Sequence, residues 1–144
     1  MCIRDRDNLR IVSDIGSRLP IYCTSQGKVF LAHMSRTSAE ALLRAQHMTQ
    51  FTPHTITDLT ALMQEIDLCR TDGYAIENGE YKIGLRSISA PVYTVEGKAR
   101  YTVGVIGMFR STRSDEFLAA VEQVCATASM ISTALGYRKT EELL

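Results

Sequence analysis

Gly84-Leu-Arg-Ser-Ile-Ser-Ala-Pro-Val-Tyr-Thr-Val-Glu-Gly-Lys-Ala-Arg-Tyr-Thr-Val-Gly-Val-Ile-Gly-Met-Phe109 is the stretch on which the fold turns. It holds two runs rich in β-branched and aromatic residues, Arg86–Val95 and Ala99–Phe109, joined by Glu96-Gly97-Lys98. A short glycine-bearing connection between two such runs marks an antiparallel hairpin. The second run carries Val103, Val105, Ile106, Met108 and Phe109, a density that predicts burial on both faces. Upstream, Tyr74-Ala75-Ile76 predicts a short strand set off by breaks at Gly79 and Gly84. Side chains alternate along a strand, so Arg86 and Ser87 point to opposite faces of this sheet.

Helical patterns surround these strands. Downstream, Ser111 to Asp115 cap a long helix whose stripe is Phe117, Leu118, Val121, Val124, Cys125, Ala128, Ile131 and Leu135, with Gly136 as the stop. Upstream, Thr57-Asp58 precede Leu59, Leu62, Met63, Ile66 and Cys69 at helical spacing, and Gly73 ends the run. Thr37 and Glu40 have capping-box spacing and predict the start of a short helix through Leu42-Leu43. Thr24-Ser-Gln-Gly-Lys28 places small polar residues ahead of Val29, Phe30, Leu31, Ala32 and Met34, a helix start. Gln50–Thr57 is a polar loop around Pro53. Leu9–Ile15 predicts a strand that turns at Gly16-Ser17, and Pro20 limits any pairing beyond it. The order β-α-α-α-β-β-β-α predicts an α+β fold, a sheet with helices packed against it.

A chain of 144 residues has room for one domain and a full core. Met1-Cys-Ile-Arg-Asp-Arg6 fits poorly with the regular pattern that starts at Leu9 and reads as a non-native or linker remnant. The expected division is therefore 1–8 as remnant, 9–138 as the domain and 139–144 as a tail. Sixteen Lys+Arg against 16 Asp+Glu argues against a free-standing nucleic-acid binder or a polybasic membrane-surface module. No apolar run is expected to approach the ~20 residues of a membrane span, and the opening residues lack the build of a signal peptide. Cys2, Cys23, Cys69 and Cys125 form no C-x-x-C pair and no metal spacing with His33, His47 or His54, so they read as buried free thiols.

Catalytic motifs are missing: there is no G-x-S-x-G elbow, no H-E-x-x-H and no P-loop. His33, His47 and His54 read as polar helix or loop residues. Glu77 and Glu80 flank Asn78-Gly79 and could form a paired-carboxylate site, but two acids three apart beside a glycine read first as a solvated turn. The helix start at Ser25-Gln26-Gly27 is a place where free backbone N–H groups can hold a carboxylate or phosphate, with the glycine leaving the backbone open to a ligand.

Five blocks carry a family resemblance: Arg18-Leu-Pro-Ile-Tyr-Cys-Thr-Ser-Gln-Gly-Lys28, Thr52-Pro-His-Thr-Ile-Thr-Asp58, Gly73-Tyr-Ala-Ile76, Gly84-Leu-Arg-Ser-Ile-Ser-Ala-Pro-Val92 and Leu135-Gly136. In this order they resemble the effector-binding domain of IclR-type bacterial transcription regulators, over about Leu9 to Arg138. The resemblance implies a GAF-like (profilin-like) domain with a curved antiparallel sheet that cradles a small molecule. It also implies a cytoplasmic protein that dimerises or forms tetramers, and DNA contact only through a winged helix-turn-helix domain absent from this chain. No enzyme activity, cofactor, metal or membrane partner is implied.

The family's ligand residues correspond here to Ser25, Gln26 and Gly27 at the helix start, Glu77 and Ser87 as polar partners, and Ile11, Leu19 and Leu85 as apolar walls. Glu77 stands where the family usually has aspartate, and Ser87 where it usually has cysteine. Both departures keep the site polar and put the usual keto-acid ligand in question. The ligand class they imply is a small carboxylate with a hydroxyl or carbonyl near Glu77 and Ser87. Arg86 reads as structural or interfacial. Two other readings are carried: a free-standing enzyme on a small carboxylic acid with Glu77 as base and Ser87 as donor, and a purely structural dimerisation domain.

Overall fold

Arg86–Tyr93 is the middle strand of a three-stranded antiparallel sheet whose neighbours are Ala75–Asn78 and Ala99–Gly107. The computed structural model describes residues 14–139 in full and the backbone of 2–4 and 10–12. In chain order the elements are β1 (Cys2–Arg4), β2 (Arg10–Val12), α1 (Ser25–Ala32), α2 (Arg36–Arg44), α3 (Leu59–Asp72), β3 (Ala75–Asn78), β4 (Arg86–Tyr93), β5 (Ala99–Gly107) and α4 (Asp115–Ala134). This is the expected α+β order with one more strand in front, since β1 and β2 pair antiparallel as a separate ribbon. The Leu9–Ile15 strand is thus realised over Arg10–Val12. The expectations for Met1, for the rest of the 1–8 remnant beyond Cys2–Arg4, and for residues 140–144 lie outside the described residues, as do the side chains of Cys2 and Ile11.

Register decides what each face carries. Glu77 lies opposite Ser87, and Ala75 opposite Ser89, across β3 and β4. Across β4 and β5, Ser87 faces Ile106 and Ser89 faces Gly104. These residues share one face, under α1 and the core of Val29, Leu31, Leu62 and Ile66. Ile88, Ala90 and Val92 alternate onto the other face and pack against Phe117, Val121, Val124 and Ala128 of α4. The sheet is therefore covered on one side by α1–α3 and on the other by α4, with a separate apolar core in each layer.

Caps set the helix limits. Asp58 accepts from the Ala61 N–H at the start of α3, and Gly73 closes it with φ of 80°. Ser114 accepts from the Phe117 N–H ahead of α4. The capping box at Thr37 is not formed. Ser35 caps α2 two residues earlier by accepting from the Ser38 N–H. Glu40 instead pairs with Arg44 one turn on at 2.7 Å.

Burial departs from expectation at two elements. β5 is not buried on both faces: Tyr101, Val105 and Ile106 are exposed, because β5 is the edge of its sheet among the described strands. On α4, Phe117, Val121, Val124 and Ala128 are buried, while Leu118, Ile131 and Leu135 are exposed. Nor is the expectation of no membrane-length segment met, since α4 has 20 residues with a mean hydropathy of 1.3, enough by length and composition to cross a membrane. Asp115, Glu116 and Glu122 on it and its packed stripe fit a helix laid on the sheet.

Candidate functional site

The start of α1 meets the open end of the β3–β4 pair, and a cavity of about 260 Å³ lies between them. Thr24 and Gln26 enter it from α1, Glu77 and Ser87 from the sheet, and Leu19, Leu85 and Ile106 supply apolar wall. Asp14, Ser17, Arg18, Tyr81 and Lys82 also line it, and sequence reasoning missed these five together with Thr24 and Ile106.

The first three amides of a helix have no intrahelical partner. At α1, Thr24 satisfies one of them by accepting from the Gly27 N–H at 3.2 Å, and its own hydroxyl donates to Pro20 O at 2.7 Å. No described residue accepts from the N–H groups of Ser25 and Gln26. Gly27 and Ser25 do not line the cavity. Glycine at 27 answers a different need: a Cβ there would sit 2.1 Å from Ile21 O, so α1 crosses this backbone too closely for any side chain.

Glu77 and Glu80 are no solvated turn: they are 2% and 5% exposed. Glu77 folds back so that Oε1 accepts from the Glu80 N–H at 2.6 Å and the Tyr81 N–H at 3.1 Å. Thr52 and Thr55 of the proline loop hold the same turn, donating to Gly79 O and Glu80 O at 2.6 Å each. Glu80 turns away from the cavity, and its Oε1 takes a 2.6 Å ion pair from the fully buried Lys28, which also donates to Ile76 O at 3.2 Å. Burial holds the Glu80 carboxyl above the usual carboxylate range against the pull of the Lys28 ammonium.

Ser87, on the cavity lining, meets Ser25, which stands outside it. Ser87 Oγ lies 3.1 Å from Glu77 Oε2 and 2.8 Å from Ser25 Oγ, which is 2.8 Å from Ser89 Oγ. Each hydroxyl has one proton, and a carboxylate oxygen only accepts. Ser87 therefore donates to Glu77, Ser25 to Ser87, with a longer 3.4 Å contact of the same Ser25 hydroxyl to Gln26 Oε1, and Ser89 to Ser25. Gly104 makes room for the last member, since a Cβ there would meet Ser89 Oγ at 2.4 Å. Ser89 was legible as the residue two along the strand from Ser87, on the same face.

Arg86 points away from this face, as alternation requires, and donates to Phe109 O at 2.6 Å. His33 Nδ1 donates to Val29 O and its Nε2 lies against Tyr93 OH, both at 2.8 Å, away from the cavity. His47 and His54 are exposed. Cys23, Cys69 and Cys125 are unpaired thiols, the first two buried and the third half-buried. Among the described residues no cluster of His, Cys, Asp and Glu could hold a metal ion. A second cavity of similar volume, about 260 Å³, opens between β4 and α4 beside Pro91, Cys125 and Tyr137, but no carboxylate lines it.

Residues 2–133 match the family model described as Bacterial transcriptional regulator IclR C-terminal. The chain belongs to the IclR family. The HTH-type transcriptional repressor AllR of Escherichia coli K12 is 29% identical over 130 residues, which are 90% of this chain and 48% of AllR. This IclR-family chain thus spans about half the length of the curated relatives it matches. A putative transcriptional regulator from Rhodococcus sp. RHA1 superposes with a TM-score of 0.86 at 28% identity, over 94% of this chain and 55% of that one. The C-terminal domain of the E. coli regulator KdgR gives 0.79 at 30% identity, over 94% of this chain and 85% of that one. The fold is accordingly the GAF-like fold of IclR C-terminal domains. The family is one of transcription regulators, not of enzymes, and the reading of Glu77 and Ser87 as catalytic is not favoured.

Proposed function

We propose that residues 9–138 form the ligand-sensing and oligomerisation domain of a cytoplasmic IclR-type transcription regulator, and that its effector is a small hydroxy- or keto-acid. The effector's carboxylate would rest on the Ser25 and Gln26 amides, with its hydroxyl or carbonyl at Glu77 and Ser87. Leu19 and Leu85 would flank its apolar part. DNA would be contacted by a winged helix-turn-helix domain outside this chain. Ligand occupancy would alter DNA binding to the extent that the ligand's affinity differs between assembly states.

One observation carries this reading: a single cavity of about 260 Å³ is lined both by Thr24 and Gln26 at the start of α1 and by the buried Glu77 carboxylate. A helix N-terminus favours anions. A carboxylate opposite it lets a short acid be held at both ends with correct polarity. A cavity that side chains leave open speaks against a purely structural domain.

A thermal-shift screen of the domain with glycolate, lactate, pyruvate, mandelate and related acids tests the reading. A true ligand at 100 times its Kd adds about 2.7 kcal/mol, or roughly 5–10 °C for a domain of this size. The gain should vanish in Glu77→Ala and Ser87→Ala. Stabilisation by none of the acids removes the ligand-sensing reading in favour of a structural domain, and turnover of any of them revives the enzyme.

A further inference from the structure

Resting on the carboxylate reading above, we infer that the Glu77–Ser87 end of the cavity selects a ligand that donates a hydrogen bond over one that accepts, so the effector is a 2-hydroxy acid rather than a 2-keto acid. The buried hydroxyls decide this. Ser89, Ser25 and Ser87 pass their single protons in one direction, ending on Glu77 Oε2. Glu77 Oε1 is filled by the Glu80 and Tyr81 N–H groups. What remains for a ligand at this end is lone pairs, on Glu77 Oε2 and on Ser87 Oγ. An alcohol finds two acceptors there. A ketone oxygen finds no proton on Glu77 or Ser87 and lies against the buried Glu77 carboxylate, an unpaired arrangement that costs both groups.

Serine rather than a thiol at 87 strengthens this polarity. A hydroxyl commits its proton to Glu77 more firmly than a thiol would, and it is the better acceptor. Ser89, which touches neither cavity nor ligand, is a positioning residue. Its proton is what keeps Ser25 pointed at Ser87.

The same geometry predicts how to invert the preference. In Glu77→Gln the two N–H groups at Oε1 still require an oxygen, so the amide oxygen takes that place and the NH₂ takes the place of Oε2. One amide hydrogen then donates to Ser87, the relay reverses towards Ser89, and the second hydrogen faces the cavity. The end that accepted now donates. Arg18, Gln26, Tyr81 and Lys82 also line the cavity with side-chain donors but are unchanged in this variant, so a change of preference isolates residue 77.

The test is calorimetric titration of the chain with lactate against pyruvate, and with mandelate against phenylglyoxylate. Glyoxylate is left out because its hydrate carries hydroxyls. The wild type should bind each hydroxy acid about tenfold to a hundredfold more tightly than its keto partner, the range of a hydrogen bond to a charged group. Glu77→Gln should lose that preference or reverse it. Equal or tighter binding of the keto acids by the wild type overturns the inference while leaving the carboxylate reading intact. Binding of none of the four sinks both. Should Glu77→Gln fail to fold, the wild-type pairs decide alone.

Discussion

Lys28→Met is the substitution whose effect follows most directly from the packing beneath the site. Lys28 Nζ lies 2.6 Å from Glu80 Oε1, both side chains are buried, and Glu80 Oε2 already has no partner. Methionine fills much the same volume without the charge. If Glu80 stays ionised, it becomes an uncompensated buried charge, which costs about 3–5 kcal/mol. If it takes up a proton, the cost at pH 7 relative to an unfolded pKa of 4.5 is about 1.4 kcal/mol per unit over 2.5 units, at most about 3.4 kcal/mol. The wild-type carboxyl is itself shifted upward, so part of this is present before the substitution and 3.4 is an upper limit for that route. About 2–3 kcal/mol is the expected loss. The sign with pH is then fixed. A carboxyl raised in the folded state contributes stability that is full below 4.5 and lost as pH rises through its folded value. The deficit of Lys28→Met should therefore shrink from pH 7 towards pH 5. The double variant Lys28→Met/Glu80→Gln should recover most of the loss, because neutral groups need no partner charge. Urea unfolding followed by far-UV circular dichroism reads these differences, the chain having no tryptophan. A loss below 1 kcal/mol that does not vary with pH would refute the reasoning.

Gly27→Ala should destabilise the domain by about 1–3 kcal/mol despite alanine's better helix propensity, since its Cβ would meet Ile21 O at 2.1 Å; stabilisation in thermal melts would show the close approach to be wrong. Thr55→Val removes the donor to Glu80 O and the acceptor for the Thr52 N–H, and should cost about 2 kcal/mol in the same melts. Burial pushes the Cys23 and Cys69 thiols up to about 12 and about 11, so peptide mapping after native alkylation at pH 8 should find both unmodified and Cys125 labelled first. Rapid labelling of Cys23 without unfolding would count against the described core.

The hairpin was legible because glycine turns and strand alternation are local properties. Asp58 and Gly73 announced α3 for the same reason, and the placement of Arg86 away from Ser87 followed from alternation alone. The burial of β5 was not legible, since apolar density does not say whether a strand is central or at an edge. Thr37 lost the cap to Ser35 because both are competent and only chain geometry chooses between them. The pair of acids at 77 and 80 was misread for a deeper reason. Charged side chains beside a glycine turn usually face water. Only the fold brings Lys28 from α1 and the backbone of the turn itself to hold them. The candidate site was named from family resemblance at Gln26, Glu77, Ser87, Leu19 and Leu85, all of which line the cavity, whereas Ser25 and Gly27 stand behind it. Ser89 could have been found by counting two along the strand.

A crystal of the domain grown with saturating lactate tests the central proposal most directly. The predicted result is density in the Gln26–Glu77–Ser87 cavity, with the carboxylate about 3 Å from the Ser25 and Gln26 amide nitrogens and the hydroxyl on Glu77 Oε2. Lactate ordered instead in the cavity between β4 and α4, or a first cavity left empty at a concentration that saturates in calorimetry, would contradict it.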